Sequence, residues 1–388
     1  MAKPATTVEF LCDLVAFPTV SRDPNRALIA YCADILAEAG AQISIIEADE
    51  GRKANLYATI GPDDQPGVML SGHSDVVPVD GQNWTLPPFE ATLKDGRVYG
   101  RGTADMKGFL AACLTCARAA GERVLKTPLH LAFSHDEEIG CVGVHSLLDM
   151  LAEAPVRPAM CIVGEPTSMA IATGHKGKTA LEATCIGSEA HSALAPQAVN
   201  AIHLACDLVA EIRKMQDHLA VHGARDDAYA IPYTTLHAGV INGGTVLNIV
   251  PGQAAVTFEI RNLAADNPDQ IIADLRQAIA PIITAARQRA PEADIILSIT
   301  NAYPGLETPL DDDVVAMVAE LTGRNDRIKV AFGTEGGLFS SRLGVPTVVC
   351  GPGSMDQGHK PDEFIALDQL DACDAMLGSL LNRLEAGL

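Results

Sequence analysis

The side chains best suited to metal chemistry in this sequence are histidines, aspartates and glutamates in five short stretches rich in glycine and proline. These are Ser71-Gly-His-Ser-Asp-Val-Val-Pro78, Gly100-Arg-Gly-Thr-Ala-Asp-Met-Lys-Gly108, His135-Asp-Glu-Glu-Ile-Gly140, Val163-Gly-Glu-Pro-Thr167 and Gly351-Pro-Gly-Ser-Met-Asp-Gln-Gly-His359. Taken singly, each has an ordinary reading. His73 and His359 are core or surface histidines, Asp105 a turn aspartate, Glu137-Glu138 a solvated pair at a helix start, and Glu165 a loop glutamate. Together they read differently. Four of the five stretches directly follow an apolar run with strand character, and in an open α/β sheet the strand ends face the ligand crevice. Carboxylate and imidazole donors collected there suit zinc without any thiolate.

A charge count points to a pair of ions. With His73, Asp105, Glu138, Glu165 and His359 as ligands and Asp105 bridging, three carboxylates and one hydroxide balance two Zn2+. Two such cations roughly 3.5–4 Å apart acidify a shared water and polarise a carbonyl. Asp75 can accept the other imidazole N–H of His73 and fix its tautomer. The adjacent acids can divide the work, with Glu138 on a metal and Glu137 free as general base.

These groups need a scaffold, and the surrounding sequence outlines one. Thr6 and Glu9 form a capping box before an amphipathic run with Val8, Leu11, Leu14 and Val15 on one face. Helices are predicted near 6–17, 24–39 and 106–120. Strands are predicted at Ile43–Ile46, Leu56–Ile60, Val68–Ser71, Leu129–Ser134 and Met160–Val163. That alternation implies an α/β layer structure with a mostly parallel mixed sheet. After Lys176 the texture changes. A strand (Thr179–Ile186), a long helix opening at Pro196, paired strands (Thr234–Asn242 and Ala254–Ile260) joined through Gly243-Gly244, a second helix (Asn267–Arg289) and a last strand (Asp294–Thr300) follow. The order matches a ferredoxin-like α+β module. Because α/β signals resume at Asp311–Leu321 and Thr347–Cys350, this module is read as an insertion. It forms a lid over 178–302, within a discontinuous zinc-binding domain of 1–177 and 303–388.

Bulk properties narrow the function. At 388 residues the chain is long enough for two domains. A formal charge of −21, from 28 Lys+Arg against 49 Asp+Glu, argues against nucleic acid and anionic membranes as partners. No apolar run reaches the roughly 20 residues a membrane helix needs, and Asp13 interrupts the opening apolar stretch, unlike a signal peptide. Ten scattered cysteines read as reduced thiols of a cytoplasmic protein, and Cys113-x-x-Cys116 as part of a buried helix.

Together the five stretches resemble the dinuclear-zinc amidohydrolase family of aminoacylases, glutamate carboxypeptidases and desuccinylases. The Gly-His-x-Asp-x-Val-Pro and Arg-Gly-x-x-Asp-Met-Lys-Gly segments carry that resemblance, which runs in order through nearly the whole chain. It implies that His73 and Glu165 bind one zinc, that Glu138 and His359 bind the other, and that Asp105 bridges them. Cobalt could replace zinc in such a site. It further implies that Asp75 orients His73 and that Glu137 is the base. Glu189-Ala-His191-Ser-Ala resembles the family's lid histidine, which reaches the partner subunit's site in a homodimer and steadies the oxyanion. Asn248 and Arg261 resemble lid residues that hold a substrate carboxylate. The segments at 163–167, 174–177 and 351–363 are most similar to the branch that deacetylates amino acids, here one with a cationic side chain. Phe332-Gly-Thr-Glu-Gly-Gly337 departs from that branch towards the desuccinylases, and its Thr334 and Glu335 are expected to face the substrate. The implied activity is zinc-dependent hydrolysis of a small N-acyl amino acid. The alternatives are a desuccinylase, another N-acyl amino acid hydrolase or a dipeptidase, or a non-catalytic metal-binding regulator, against which the intact base speaks.

Overall fold

The computed structural model describes residues 6–388. Local sequence sets the first element. Thr6 Oγ1 accepts from Glu9 N while Thr6 N donates to the Glu9 carboxylate, and this reciprocal cap opens helix Thr7–Val15. Phe10, Leu11, Leu14 and Val15 are its buried apolar residues, and Val8 packs at the margin of the core.

The chain divides into two compact units. One comprises the described residues through His175 together with Leu306–Leu388; the other is Lys176–Gly305. Among the described residues, no helix is long and apolar enough to cross a membrane.

The first unit is built on a nine-stranded mixed sheet, counted among the described residues. Its order is Gln42–Ala48, Lys53–Ile60, Leu129–Ser134, Val68–His73, Met160–Pro166, Thr347–Gly351, Ile171–His175 and Leu306–Glu307, with Arg327–Val330 also pairing with Ile171–His175. The four strands from Leu129–Ser134 to Thr347–Gly351 run parallel, and antiparallel pairs flank them on both sides. Val68–His73 and Leu129–Ser134 are buried along their whole length, as expected of parallel strands covered on both faces. Fully burying one Leu or Val side chain contributes about 1.5–3 kcal/mol, so runs such as Val68-Met69-Leu70 resist any slip. Helix Gly108–Gly121 is apolar almost all round and joins the same core. Cys113 and Cys116 are buried there as free thiols.

The second unit is an antiparallel four-stranded sheet in the order Thr235–Gly243, Gln253–Asn262, Gly177–Ile186, Asp294–Tyr303. Helices Ala201–His222 and Pro268–Arg287 complete the ferredoxin-like succession. Alternate residues of the strands, among them Leu181, Ala183, Val256 and Phe258, share a core with Leu204, Leu208, Leu275 and Ile279. Two local expectations change. The first long helix begins at Ala201 and not at Pro196, because Asn200 Oδ1 accepts from Ile202 N and His203 N as the cap, while Pro196 lies in a preceding 3-10 turn. The paired strands do run antiparallel, but they are not joined by a simple glycine turn. The connection includes Ile249–Val250, which pairs with Ala190–His191.

Candidate metal centre

The parallel strands deliver their carboxyl ends to one place. His73 closes Val68–His73, Glu137 and Glu138 follow Leu129–Ser134, Glu165 stands near the end of Met160–Pro166, and His359 lies in the loop after Thr347–Gly351. Asp105 comes from the short turn Thr103–Lys107, which leads into helix Gly108–Gly121. Two motif glycines have packing reasons. A Cβ on Gly72 would stand 2.7 Å from Met106 Cε, and one on Gly164 would stand 2.0 Å from the Phe109 ring. Both strands therefore lie close against the helix that carries Asp105 at its entry.

The two oxygens of Asp105 face different histidines. Oδ1 is 3.1 Å from His73 Nε2, which is also 3.6 Å from Glu165 Oε1. Oδ2 is 3.1 Å from His359 Nε2, which is 2.9 Å from Glu138 Oε2. Glu137 stands on the His73 side. One donor atom each from His73, Glu137 and Glu165, and likewise from His73, Asp105 and Glu138, lies within 4.8 Å of the others. The side chains of His73, Asp105, Glu138 and Glu165 are at most 6% exposed, whereas His359 is 45% exposed and marks the open side. Asp136 (φ 55°) and His359 (φ 61°) hold left-handed backbone, which costs a non-glycine residue about 1–2 kcal/mol.

The electrostatics are those of crowded acids needing cations. Burial, with help from neighbouring carboxylates, pushes Glu137 up to about 8 and Glu138 up to about 7. Burial and the charge of Asp105 raise Glu165 well above the carboxylate range. Burial would also raise Asp105, but its hydrogen bonds with His359 and His73 hold it well below that range. Burial opposes protonation of His73, yet Asp105 and Glu165 raise it far above an ordinary imidazole. The hydrogen bonds of His359 to Asp105 and Glu138 raise it to about 10. Glu138 Oε1 is buried without a hydrogen-bond donor. A carboxylate shared by two imidazoles, two further acids and an unpaired buried oxygen make a donor set that fits two divalent cations.

Other predicted residues fall in different places. Asp75 is close to His73, but its backbone oxygen, at 2.9 Å, meets Nδ1, with the carboxylate at 3.6 Å. That carboxylate instead accepts from Ser21 Oγ (2.7 Å), Glu137 N (3.1 Å) and Glu138 N (3.4 Å), so it secures the turn bearing both glutamates. Thr334 and Glu335 were expected to face a substrate. Both are buried. Thr334 Oγ1 accepts from Gly336 N at the start of helix Gly336–Leu343, and the Glu335 carboxylate lies 3.5 Å from Ser71 Oγ beneath the site. Burial pushes Glu335 up to about 7 against the pull of the Ser134 hydroxyl and His73. In the second unit, His191 is exposed, and its Nδ1 accepts from Ala193 N. Ser192 N donates to Asn248 O, so His191 and Asn248 share one small ribbon. Arg261, expected to hold a substrate carboxylate, donates to Glu259 Oε1 and to the Tyr303 hydroxyl, both at 3.1 Å.

Several supporting residues escaped the sequence. Lys53 Nζ bonds Asp136 at 2.7 Å and Ser21 O at 2.6 Å, bracing the turn before Glu137. Cys141 Sγ donates to Glu137 Oε1 at 3.2 Å. Arg101 and Glu363 form a buried pair at 2.6 Å beside Asp105. Arg101 and Glu363 fall inside motif stretches, but nothing local marks them as partners.

The donors gathered at the strand ends form a cluster able to hold metal, and the family and relatives the chain matches make it a hydrolase that acts on amide bonds. The family model described as peptidase family M20/M25/M40 matches residues 69–383, and the chain belongs to that family. A protein of Proteus mirabilis (strain HI4320) named acetylornithine deacetylase is 33% identical over 383 residues, covering 97% of this chain and 96% of its own. An M20 family metallo-carboxypeptidase of Sulfolobus solfataricus shares the fold at a TM-score of 0.77, with 18% identity and coverage of 99% and 100% of the two chains. A Bacillus subtilis protein described as a dinuclear metal-binding peptidase of the M20 family does so at 0.68, with 15% identity and coverage of 97% and 96%.

Proposed function

We propose that this chain is a two-zinc deacetylase that cleaves N-acetylornithine to ornithine and acetate, a step suited to arginine biosynthesis in the cytoplasm. The observation that carries the metal reading is the division of Asp105. Its Oδ1 goes with His73 and Glu165, and its Oδ2 with His359 and Glu138, which gives two cation positions sharing one carboxylate. Cobalt would fill the same ligands. The substrate reading is supported by the likeness to the Proteus mirabilis protein over 97% of this chain and by the net charge of −21, which favours a cationic ligand over an anionic one. Ten free cysteines agree with a reducing compartment.

A bound pair of divalent ions supplies Lewis-acid polarisation of the acyl carbonyl and a lowered pKa for water. The rest is the work of the chain. Glu137 is the general base: its backbone is pinned by Asp75 and its carboxylate is steadied by Cys141 Sγ, so it can take a proton from water and return it to the leaving amine. Asp75 and Lys53 keep its turn in place. His191 would stabilise the oxyanion; its Nδ1 accepts from Ala193 N, which leaves Nε2 as the proton-bearing nitrogen able to donate outwards. Asn248, tied to the same ribbon, would meet the substrate carboxylate. The proposed assembly is a homodimer in which each chain lends His191 to its neighbour.

A turnover panel on zinc- and cobalt-loaded protein tests the reading. It should include N-acetylornithine, N-succinyl-diaminopimelate, neutral N-acetyl amino acids and dipeptides. N-acetylornithine should give the highest kcat/KM. A clear preference for a succinylated or apolar substrate would overturn the substrate assignment and leave the metal chemistry standing.

A further inference from the structure

Asp105 and His359 come from distant parts of the chain, and a single buried network ties them together. It begins with a strand register. Phe364 pairs with Tyr99, and Gly100 N donates to Glu363 O, which sets the segment after Tyr99 beside the segment before Phe364. Arg101 and Glu363 therefore meet, each 1% exposed, with Nη1 to Oε2 at 2.6 Å. The same Glu363 carboxylate accepts from Gly102 N (3.0 Å), Ala104 N (2.9 Å) and Asp105 N (3.1 Å). Four donors on two oxygens offset the cost of burying the charge, and three of them are the backbone that carries Asp105.

The other end of Arg101 leads to His359. Nη2 donates to Gln82 Oε1 at 2.6 Å, and Trp84 Nε1 donates to that same oxygen at 3.0 Å. The guanidinium also lies 5.0 Å from the centre of the Trp84 ring. With its oxygen committed to two donors, the Gln82 amide has one orientation, and its Nε2 donates to His359 O at 3.0 Å. That bond acts on a residue whose backbone is in the left-handed region, φ 61°, a conformation that persists only where the surroundings hold it.

We propose that Arg101, Glu363 and Gln82 are positioning residues forming one clamp, in which Glu363 seats Asp105 for both metal positions and Gln82 seats His359 for one of them. The proposal rests on the metal-ligand reading given above. It assigns the two arms different effects: releasing Gln82 frees His359 alone, whereas releasing Glu363 disturbs the carboxylate that serves both positions.

Calorimetric titration of the metal-free full chain with Zn2+ separates these effects, with circular dichroism and thermal melting as controls for folding. Wild type should take two equivalents. Gln82→Ala, at a partly exposed position, should weaken one equivalent by about tenfold or more, the range for residues that orient metal ligands, and leave the other and the melting temperature unchanged. In a His359→Ala background the remaining equivalent should be the same with and without Gln82→Ala. Glu363→Gln should weaken both, and a folded variant with two undiminished equivalents would overturn the Glu363 arm; if it does not fold, Glu363→Asp, which shortens the reach to the three backbone donors, is read in the same way. Two undiminished equivalents in Gln82→Ala, equal loss of both with a lowered melting temperature, or a Gln82 effect that survives in His359→Ala would each overturn the clamp while leaving the metal reading intact. Fewer than two equivalents in wild type would overturn the metal reading and the clamp with it.

Discussion

Replacing Glu137 by glutamine separates proton transfer from metal binding. Glu137 occupies a turn fixed from outside: Asp75 Oδ1 accepts its backbone N–H at 3.1 Å, and its carbonyl accepts from Gly140 N and Cys141 N, both at 2.8 Å. Its Oε1 accepts from Cys141 Sγ at 3.2 Å. Glutamine is isosteric and can keep that acceptor, so the turn and the neighbouring Glu138 should stay in place. The close contacts of Asp105 are with His73 and His359 and do not pass through Glu137. Both zinc ions should therefore remain. What disappears is the acceptor for the water proton, worth about 10²–10⁴ in rate, or about 2.7–5.4 kcal/mol at 1.36 kcal/mol per decade. The pH profile gives a second check. Burial pushes Glu137 up to about 8 in the metal-free site, and two adjacent divalent cations favour the ionised form, so its value in the loaded enzyme lies below that. A base works deprotonated. Activity should fall as pH drops through this value, and that limb should be absent from the residual activity of Glu137→Gln. The assay is metal content by elemental analysis alongside kcat and KM across pH. Loss of a metal, or turnover within a few-fold of wild type, would refute the assignment.

A second outcome follows from the same geometry, and a third from the proposed dimer. Hydrogen bonds to Asp105 and Glu138 raise His359 to about 10, so it is protonated in the metal-free protein near neutral pH and zinc must displace that proton. Zinc affinity should rise with pH by about tenfold per unit for each proton released, and calorimetry in buffers of different ionisation enthalpy should register the release; affinity independent of pH between about 6 and 8 would contradict it. For the dimer, mixing inactive His191→Ala and Glu137→Gln under subunit exchange should restore activity. Random mixing makes half the dimers mixed, and one site of each then holds both residues, so about a quarter of all sites recover. A dead mixture with exchange confirmed, or a monomer in solution, would refute action across the dimer.

The gathering of these donors was legible in the sequence because each is marked locally. A histidine or glutamate just past an apolar strand, beside a glycine, announces both its residue type and its place at the sheet's edge. His73, Glu138 and Glu165 are read that way, and the parallel centre of the sheet follows from strands apolar on both faces. Boundaries were less legible. Asn200, a cap directly after the buried pair Ala198-Val199, sets the helix start expected at Pro196.

Burial and pairing are what local sequence shows least. Thr334 and Glu335 have polar side chains next to a glycine pair, and such a segment reads as a substrate loop. What the sequence does not show is how deeply both lie: Thr334 Oγ1 accepts from Gly336 N at a helix start and the Glu335 carboxylate lies beside Ser71 Oγ. Arg261 presents a second case: nothing local shows that Glu259, two residues earlier on the same face, and Tyr303 both accept from its guanidinium. Arg101 and Glu363 carry the argument furthest. Each is a charged residue that, alone in a sequence, belongs on the surface. Only the pairing of Tyr99 with Phe364 brings them together, and only together can they be buried. Four hydrogen bonds to the Glu363 carboxylate, one of them from Arg101, and the Gln82 relay then link the distant segments that carry Asp105 and His359. A change in the 97–99 strand or in 364–366 that shifts this register should therefore disturb the metal centre even though none of those residues supplies a ligand.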